Sequence, residues 1–252
     1  MESLITQELW LQWREFVEKN FSILVSETEM EQFKTFLATL VEWNEKMNLV
    51  SFRTQEEILW RHFADSLAGA YMIRKFFPGP ENVSVIDIGT GAGLPGIPVK
   101  IVLPDIHLTL LESTTKKCTF LEDAVSRLGL KNVSIINDRA EAIGQTPVHR
   151  ASYDVVFSRA VAKFSPNLEI AIPLSRREGR TFIFKTESAA TGPEGLPSVE
   201  KALTALKTAP DDRFCYSLPG TEHRYCILSF KKTGDTPAQY PRRIGIPEKK
   251  PL

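Results

Sequence analysis

The spacing of apolar residues changes near residue 80, and this change divides the chain into two predicted architectures. Before that point, apolar side chains recur every three or four positions, the spacing of helices with one buried face. Ser26 or Thr28 can cap the second helix, and the third ends where Pro78 and Gly79 interrupt the pattern. The predicted helical stretches cover residues 4–20, 30–50 and 55–77. We therefore expect residues 1–78 to form a helical cap.

From residue 79 onward, short apolar runs alternate with helical stretches. This alternation predicts an α/β fold with a mostly parallel sheet that helices cover on both faces. Two later runs, 212–218 and 223–232, are separated by Pro219 and Gly220 and predict an antiparallel hairpin at the sheet edge. The predicted parallel strands are residues 83–89, 107–113, 132–137, 153–161 and 180–186. The expected organisation is a helical cap over 1–78, a Rossmann-like domain over 79–239 and a basic tail over 240–252.

Composition and charge are those of an ordinary globular protein. Apolar residues make up 42% of the 252 positions and charged residues 25%, with 31 basic and 31 acidic side chains. No apolar run approaches the ~18 residues that a membrane helix needs, and the N-terminus lacks a signal-peptide core, so we expect a cytoplasmic protein. Cys118, Cys215 and Cys226 lie far apart and form no CxxC, so we expect reduced packing residues.

A glycine-rich loop follows the first predicted strand, and two nucleotide-binding patterns fit it. Gly91, Gly93 and Gly96 match the GxGxxG pattern of dinucleotide-binding proteins. Asp87 followed by Gly89, Gly91 and Gly93 matches the opening of class I S-adenosylmethionine methyltransferases. A carboxylate at this turn would repel a pyrophosphate, whereas it attracts the sulfonium and amino groups of S-adenosylmethionine. Asp87 therefore favours the methyl donor.

Acidic residues also follow the next two predicted strands. Glu112 ends the second strand, where a carboxylate can accept hydrogen bonds from both ribose hydroxyls in methyltransferases and NAD enzymes alike. The third strand leads into Asp138-Arg139-Ala140-Glu141, where methyltransferases commonly contact the adenine. Three strand ends in this order favour a nucleoside-binding site.

Several motifs together resemble one known family, the bacterial 16S ribosomal RNA guanine-N7 methyltransferases, formerly called glucose-inhibited division protein B. The resemblance extends from about residue 33 to the end and is weaker from about 187 to 222. It rests on DIGTGAGLPGIPVKI, LLESTTKKCTFL, DRAEAIG, SRAVA, the upstream stretch from Trp43 to Leu67, and the tail YPRRIGIPEKKPL. It implies a Rossmann-like class I methyltransferase that transfers a methyl group from S-adenosylmethionine to guanine N7, with no metal.

The same resemblance assigns roles to individual residues. It implies that Gly89 and Leu94 line the donor site beside Asp87, Gly91 and Gly93, and that Ala140 and Glu141 hold the adenine end. Arg159 is expected at the mouth of the active site, where a guanidinium suits guanine O6 or a phosphate. Members often have Lys-Gly where this chain has Lys185 and Thr186, which leaves the placement of Lys185 open. Guanine N7 carries a lone pair, so we expect Arg159 and Lys185 to position the reactants without a general base.

The resemblance also implies a ribosomal RNA partner, and we expect a monomer that acts on the small subunit or its precursor. Arg61 and Asp65 have the spacing of an intrahelical ion pair beside His62. Within the family pattern, the same cluster is either a brace between cap and sheet or an RNA contact. The tail carries four bases and one acid. The expected RNA contacts are Arg61, His62, Lys116, Lys117, Arg176, Arg177, Arg242, Arg243, Lys249 and Lys250.

Three other functions remain open from the residues alone. A methyltransferase of this fold with a small-molecule or protein acceptor would not need the basic tail. An oxidoreductase would bind NAD(P) at the same glycine loop. A non-catalytic RNA-binding module would need no methyl donor.

Overall fold

The computed structural model describes residues 5–159, 163–192 and 195–252, which form a seven-stranded sheet flanked by helices. The strand order is β3-β2-β1-β4-β5-β7-β6. Strands β1 to β5 pair in parallel, whereas β7 pairs antiparallel with both β5 and β6. The strands are β1 Ser84–Ile88, β2 His107–Glu112, β3 Val133–Asn137, β4 Tyr153–Arg159, β5 Ser175–Thr186, β6 Thr208–Ser217 and β7 Arg224–Lys232. The predicted α/β class and the antiparallel edge hairpin are confirmed.

Helices lie before the sheet and between its strands. The helices are α1 Gln7–Phe21, α2 Glu27–Asn44, α3 Gln55–Ile58, α4 Asp65–Phe76, α5 Gly96–Val102, α6 Thr115–Arg127, α7 Ala140–Ile143, α8 Phe164–Ala171, α9 Glu187–Thr191, α10 Glu200–Leu206 and α11 Ile246–Lys249. A π-helical segment, Leu59–Ala64, joins α3 to α4. Ser26 caps α2 and forms a reciprocal capping box with Glu29, as the sequence predicted. Among the described residues, no helix is long and apolar enough to cross a membrane.

The N-terminal helices share one hydrophobic core with the sheet. Trp13 and Phe33 of the cap belong to the same buried cluster as Phe157 and Phe182 of the central strands. The indole nitrogen of Trp13 also donates a hydrogen bond to the carbonyl of Leu59 at 3.0 Å. Burial of this apolar surface holds the cap rigidly on the sheet. The division at residue 78 stays a prediction.

The edge hairpin contradicts one expectation about the cysteines. Cys215 and Cys226 face each other across β6 and β7, with their Cα atoms 4.1 Å apart, and form a disulfide. The expected reduced state of this pair was wrong because the register of β6 and β7 places the two thiols directly opposite each other. Cys118 is a free, buried thiol, as expected.

The last thirteen residues pack against the α/β domain. The Arg150 guanidinium donates hydrogen bonds to the backbone carbonyls of Thr236, Pro237 and Tyr240 just before and within this segment. At the end of the chain, the carbonyl of Leu252 accepts one from the Ser165 hydroxyl at 3.2 Å. The tail is therefore an ordered part of the fold.

Candidate active site

A small cavity lies at the carboxyl ends of β1, β2 and β3, beside the point where the strand order reverses between β1 and β4. Ligands of open α/β sheets bind at such switch points. The cavity has a volume of about 150 Å³. Gly89, Ala140 and Glu141, all predicted to bind the donor, line it. Its other walls come from Leu111, Ser113, Asp138, Arg139, Pro166, Ile170, Pro247 and Glu248.

The glycine loop between β1 and α5 requires its glycines. Gly89, Gly91 and Gly93 have φ angles of +62°, +58° and +74°, in the left-handed region that side chains disfavour. A Cβ on Gly93 would also lie only 2.3 Å from Cδ1 of Ile97. Leu94 is buried behind the loop and does not line the cavity. The loop therefore brings bare backbone to the edge of the site.

Asp87 braces this loop from beneath. Its Oδ2 accepts hydrogen bonds from the Thr90 hydroxyl at 2.6 Å and from the Gly96 amide at 2.9 Å. Within the described residues, Oδ1 has no hydrogen-bond partner. Burial raises the pKa of Asp87 to about 7, against the effect of those hydrogen bonds. The side chain is fully buried outside the cavity lining, so its attraction for a sulfonium stays a prediction.

Glu112 links the first two strand ends. One carboxylate oxygen accepts a hydrogen bond from the Gly91 amide at 3.1 Å, and the other accepts one from the Thr114 amide at 2.8 Å. Each oxygen has a second lone-pair direction, so the carboxylate can still accept from a hydroxyl. Contact with a ribose stays a prediction.

Acidic side chains surround the cavity. Asp138, Glu141 and Glu248 line it, together with the basic Arg139. Glu141 accepts hydrogen bonds from the Arg139 guanidinium at 3.1 Å and from the Gly245 amide at 3.2 Å. Burial opposes ionisation, but these hydrogen bonds keep the pKa of Glu141 below its ordinary value. An acidic lining favours a ligand that offers N–H and O–H donors and disfavours a phosphate.

Arg159, at the end of β4, is bound to the cap. Its Nη2 donates to Nδ1 of His62 at 2.8 Å and to the carbonyl of Arg61 at 3.0 Å, and its Nε lies 3.3 Å from an Asp65 carboxylate oxygen. Burial and the Arg159 charge lower the pKa of His62 to about 3, so its ring is neutral. Burial also raises the pKa of Asp65, and Arg159 opposes this effect. Arg159 thus joins the cap to the sheet, and the guanidinium is largely buried.

The simplest interpretation of Arg61 and Asp65 was an ion pair within one helix. In the structure, Asp65 instead pairs with Arg159. The nearest carboxylate to Arg61 belongs to Glu57, at 3.9 Å, and Asp65 instead accepts a 2.6 Å hydrogen bond from the Tyr216 hydroxyl. The intrahelical interpretation was wrong because the chain between them is π-helical, so the four-residue spacing of an α-helix does not apply. The Arg61 side chain is instead half exposed.

The position after Lys185 does not require glycine. Thr186 has a φ angle of −71°, and its hydroxyl caps α9 by accepting a hydrogen bond from the Ala189 amide. Lys185 is partly buried at the carboxyl end of β5, and burial lowers its pKa. Its role in positioning a substrate stays a prediction.

The predicted RNA contacts differ in whether they are exposed near the cavity or already paired or remote from it. Lys116, Arg243, Lys249 and Lys250 are exposed and Lys117 is partly exposed, all on α6 or the tail. Arg242, in contrast, donates from Nε and Nη2 to the fully buried carboxylate of Glu169, at 2.8 and 2.5 Å. Arg176 forms an ion pair with Asp154, and Arg176 and Arg177 lie at the amino-terminal edge of the parallel strands, opposite the cavity. RNA contact by each of these residues stays a prediction.

Solved structures with similar folds include a methyltransferase and a second protein solved with AdoMet. The Burkholderia thailandensis 1,6-didemethyltoxoflavin-N1-methyltransferase, solved with S-adenosylhomocysteine, has a TM-score of 0.53 at 16% identity, over 81% of this chain and 90% of that one. M. jannaschii TYW2, solved with AdoMet, has a TM-score of 0.50 at 16% identity, over 67% and 76%. The fold is therefore that of the Rossmann-like class I methyltransferases.

Sequence comparison identifies the family within this class. A ribosomal RNA small subunit methyltransferase G of Lysinibacillus sphaericus is 38% identical over 95% of this chain and 98% of its own length. The protein of the same name from Carboxydothermus hydrogenoformans is 40% identical over 92% and 95%. The model of the GidB family, described as rRNA small subunit methyltransferase G, matches residues 29–208. The chain belongs to this family of methyltransferases, which confirms the resemblance predicted from its motifs.

Proposed function

We propose that this protein transfers the methyl group of S-adenosylmethionine to N7 of a guanine in 16S ribosomal RNA. The observation that carries the proposal is the acid-lined cavity beside the left-handed glycine loop, in a chain of the GidB family. This site offers hydrogen-bond acceptors to an adenosine and bare backbone to the amino-acid part of the donor. The glycine loop alone would also suit the pyrophosphate of a dinucleotide, but the acidic lining of the cavity disfavours it.

The size of the cavity suits one end of the donor. Ligand sites for whole small molecules usually measure roughly 300–1,000 Å³, whereas this cavity measures about 150 Å³. We assign the adenine to the cavity at Ala140 and Glu141, and the ribose to Glu112. The remainder of the donor would then lie in the open cleft along Gly89, Gly91 and Gly93. The reaction we propose needs no metal.

Positioning and electrostatics carry the proposed reaction. Bound S-adenosylmethionine supplies a methyl group on a positively charged sulfur, and guanine N7 attacks with its own lone pair. Asp65 and His62 fix Arg159 beside the cleft, where the guanidinium can order the guanine or its phosphate. Lys185 lies at the end of the neighbouring strand and adds positive charge near the acceptor.

The proposed substrate reaches the site over the carboxyl edge of the sheet. Exposed basic residues on α6 and the tail would contact phosphates, and an unstacked guanine would enter the cleft because A-form grooves conceal base edges. We propose a cytoplasmic monomer that acts on the small ribosomal subunit or its precursor. Equal methylation of protein-free 16S RNA and of small subunits would refute the requirement for an assembled particle.

Mapping N7-methylguanine in ribosomal RNA tests the reaction. Deletion of the gene should abolish one borohydride–aniline cleavage in 16S RNA, and the wild-type gene should restore it. Gly91→Arg should not restore it, because an arginine there adopts a left-handed φ of +58° and fills the donor cleft. Gly129→Ala is the control, since Gly129 has a similar φ of +62° at a site remote from the loop, and a Cβ added there would meet no atom within 4 Å. An unchanged cleavage pattern in the deletion strain would refute the proposed reaction.

A further inference from the structure

We propose that the C-terminal tail forms the base-recognising wall of the donor pocket, with Pro247 supplying an apolar surface and Glu248 the carboxylate that selects adenine. The inference rests on the proposed donor and adds a binding role to a segment whose basic residues suggested only RNA contact. Both residues line the cavity, and both belong to the short helix α11. Pro247 is buried, whereas Glu248, the one acid of the tail, is exposed.

The tail contributes part of the cavity lining, beside residues from the strand ends. Gly89 and Leu111 contribute from β1 and β2, and Ala140 contributes from α7, whereas Pro247 and Glu248 come from a segment more than a hundred residues later. The tail therefore encloses a space that the strand ends alone would leave open on this side. Enclosure of this kind excludes water from a bound base and strengthens polar contacts to it.

Hydrogen bonds hold this wall in place at both of its ends. Before α11, the Gly245 amide donates to Glu141, the same carboxylate that lines the cavity. After it, the Lys250 carbonyl accepts a 2.7 Å hydrogen bond from Arg242, whose other donors bind the buried Glu169. These contacts place the wall beside the cavity, and a base bound against the wall would add further contacts that hold it there.

The chemistry of the wall matches an adenine better than other purines. Apolar Pro247 and Ile170 suit the flat faces of a base. A carboxylate such as that of Glu248 accepts hydrogen bonds, and the exocyclic amine of adenine donates them. Hypoxanthine carries a carbonyl oxygen at that position, so a carboxylate near it would repel the base. The wall therefore predicts selectivity for adenosyl over inosyl donors.

Calorimetry on the full chain tests this selectivity with two ligands, S-adenosylhomocysteine and S-inosylhomocysteine. Glu248→Ala should weaken binding of the adenosyl ligand about tenfold, the effect of losing a hydrogen bond to a charged group at an exposed site. Binding of the inosyl ligand should not weaken, so the ratio of the two affinities falls. Glu15→Ala, which removes an exposed carboxylate from α1, should leave both affinities unchanged.

Limited proteolysis of the wild-type protein gives a second measurement that needs no variant. Trypsin cleaves after the exposed Arg243, and ordering of the wall around a bound base should slow this cleavage several-fold in saturating S-adenosylhomocysteine. An unchanged affinity ratio in Glu248→Ala, or equal cleavage rates with and without ligand, would overturn the assignment of the wall. Failure of the wild-type protein to bind S-adenosylhomocysteine at all would instead overturn the proposed donor.

Discussion

The two sides of the switch point are built in opposite ways. On the donor side, at β1 to β3, the acidic side chains Asp138, Glu141 and Glu248 face an open cavity. On the acceptor side, at the end of β4, the polar groups of Arg159 face other protein groups, chiefly His62 and Asp65 of the cap. The donor side is thus prepared to bind a ligand, whereas the acceptor side uses its strongest polar contacts to hold two parts of the protein together. Substitutions on the two sides should therefore separate loss of ligand binding from loss of stability.

Asp65→Ala should have the largest effect on stability. Its removal leaves the largely buried Arg159 without its carboxylate and Tyr216 with only a long 3.4 Å hydrogen bond to the residue 65 carbonyl. An unpaired buried charge typically costs about 3–5 kcal/mol. Urea unfolding measures this loss. Tyr216→Phe is the milder companion, because it removes one hydrogen bond and should cost about 1 kcal/mol.

The same variant tests whether the two sides are independent. At a temperature where Asp65→Ala is still folded, the affinity of this variant for S-adenosylhomocysteine should stay within about threefold of the wild-type value. This corresponds to about 0.7 kcal/mol of binding free energy. Methylation of the ribosomal substrate should nevertheless fall sharply, because Arg159 is no longer fixed. A loss of donor affinity as large as that of a glycine-loop variant would show that the donor and acceptor sides are not independent.

Gly93→Ala should have the opposite effect, a loss of donor affinity, because it changes the glycine loop on the donor side. The new Cβ would lie 2.3 Å from the Ile97 side chain at a left-handed φ of +74°, so the loop or that side chain must shift. Strain and overpacking together should cost about 2–4 kcal/mol, and S-adenosylhomocysteine affinity should fall at least tenfold. Gly129→Ala shares the left-handed φ without the clash, so thermal unfolding should show a loss of about 1 kcal/mol, with donor affinity unchanged.

The donor side was largely predictable from sequence because its key residues follow strands directly. Alternation of strands and helices places Gly89, Glu112 and Glu141 at one edge of a parallel sheet, whatever the details of packing. The repeated glycines in the loop predict its left-handed backbone. Local sequence is sufficient for such features because each depends on a strand end and the few residues after it.

The acceptor side and the tail were less predictable because they depend on side chains far apart in sequence. Asp65 meets Arg159 and Tyr216 only after the cap has docked, and the π-helical segment that turns Asp65 away from Arg61 has no local signal. The ion pair of Arg242 with Glu169 was not predicted, because nothing in the sequence points to Glu169 as a partner. The disulfide likewise required the register of β6 and β7, which spacing alone does not provide.

The pH dependence of stability should distinguish the two sides through one buried group on each. Burial raises the pKa of Asp87 to about 7, so the folded state binds an extra proton, and the contribution of Asp87 to stability is lost as the pH rises towards 7. Burial lowers the pKa of His62 to about 3, so the contribution of His62 is complete above pH 6.5 and is lost as the pH falls towards 3. Between pH 4 and 6.5 the two groups change the free energy of unfolding in opposite directions as the pH changes. Each contributes at most about 1.4 kcal/mol per pH unit.

Two single variants should separate these pH dependences when the free energy of unfolding is measured with urea between pH 4.5 and 8. Asp87→Asn should leave a stability that falls more steeply than the wild type as the pH drops below 6.5. His62→Gln should leave one that falls more steeply than the wild type as the pH rises from 4.5 to 7. Identical pH profiles for the wild type and both variants would mean that neither group titrates as its burial implies.

Arg243→Ala should give the smallest effect and tests whether ribosomal RNA crosses the donor side. Arg243 is exposed on the tail beside the proposed wall, whereas Lys131 is exposed before β3 at the opposite edge of the sheet. Loss of one phosphate contact should weaken binding to small subunits a few-fold and lower the slope of log affinity against log salt by about one. Lys131→Ala should change neither quantity, and both variants should bind S-adenosylhomocysteine normally. If Lys131→Ala and Arg243→Ala weaken subunit binding equally, the RNA does not approach preferentially over the carboxyl edge of the sheet. The cavity and Arg159 would then not share one surface that faces the substrate.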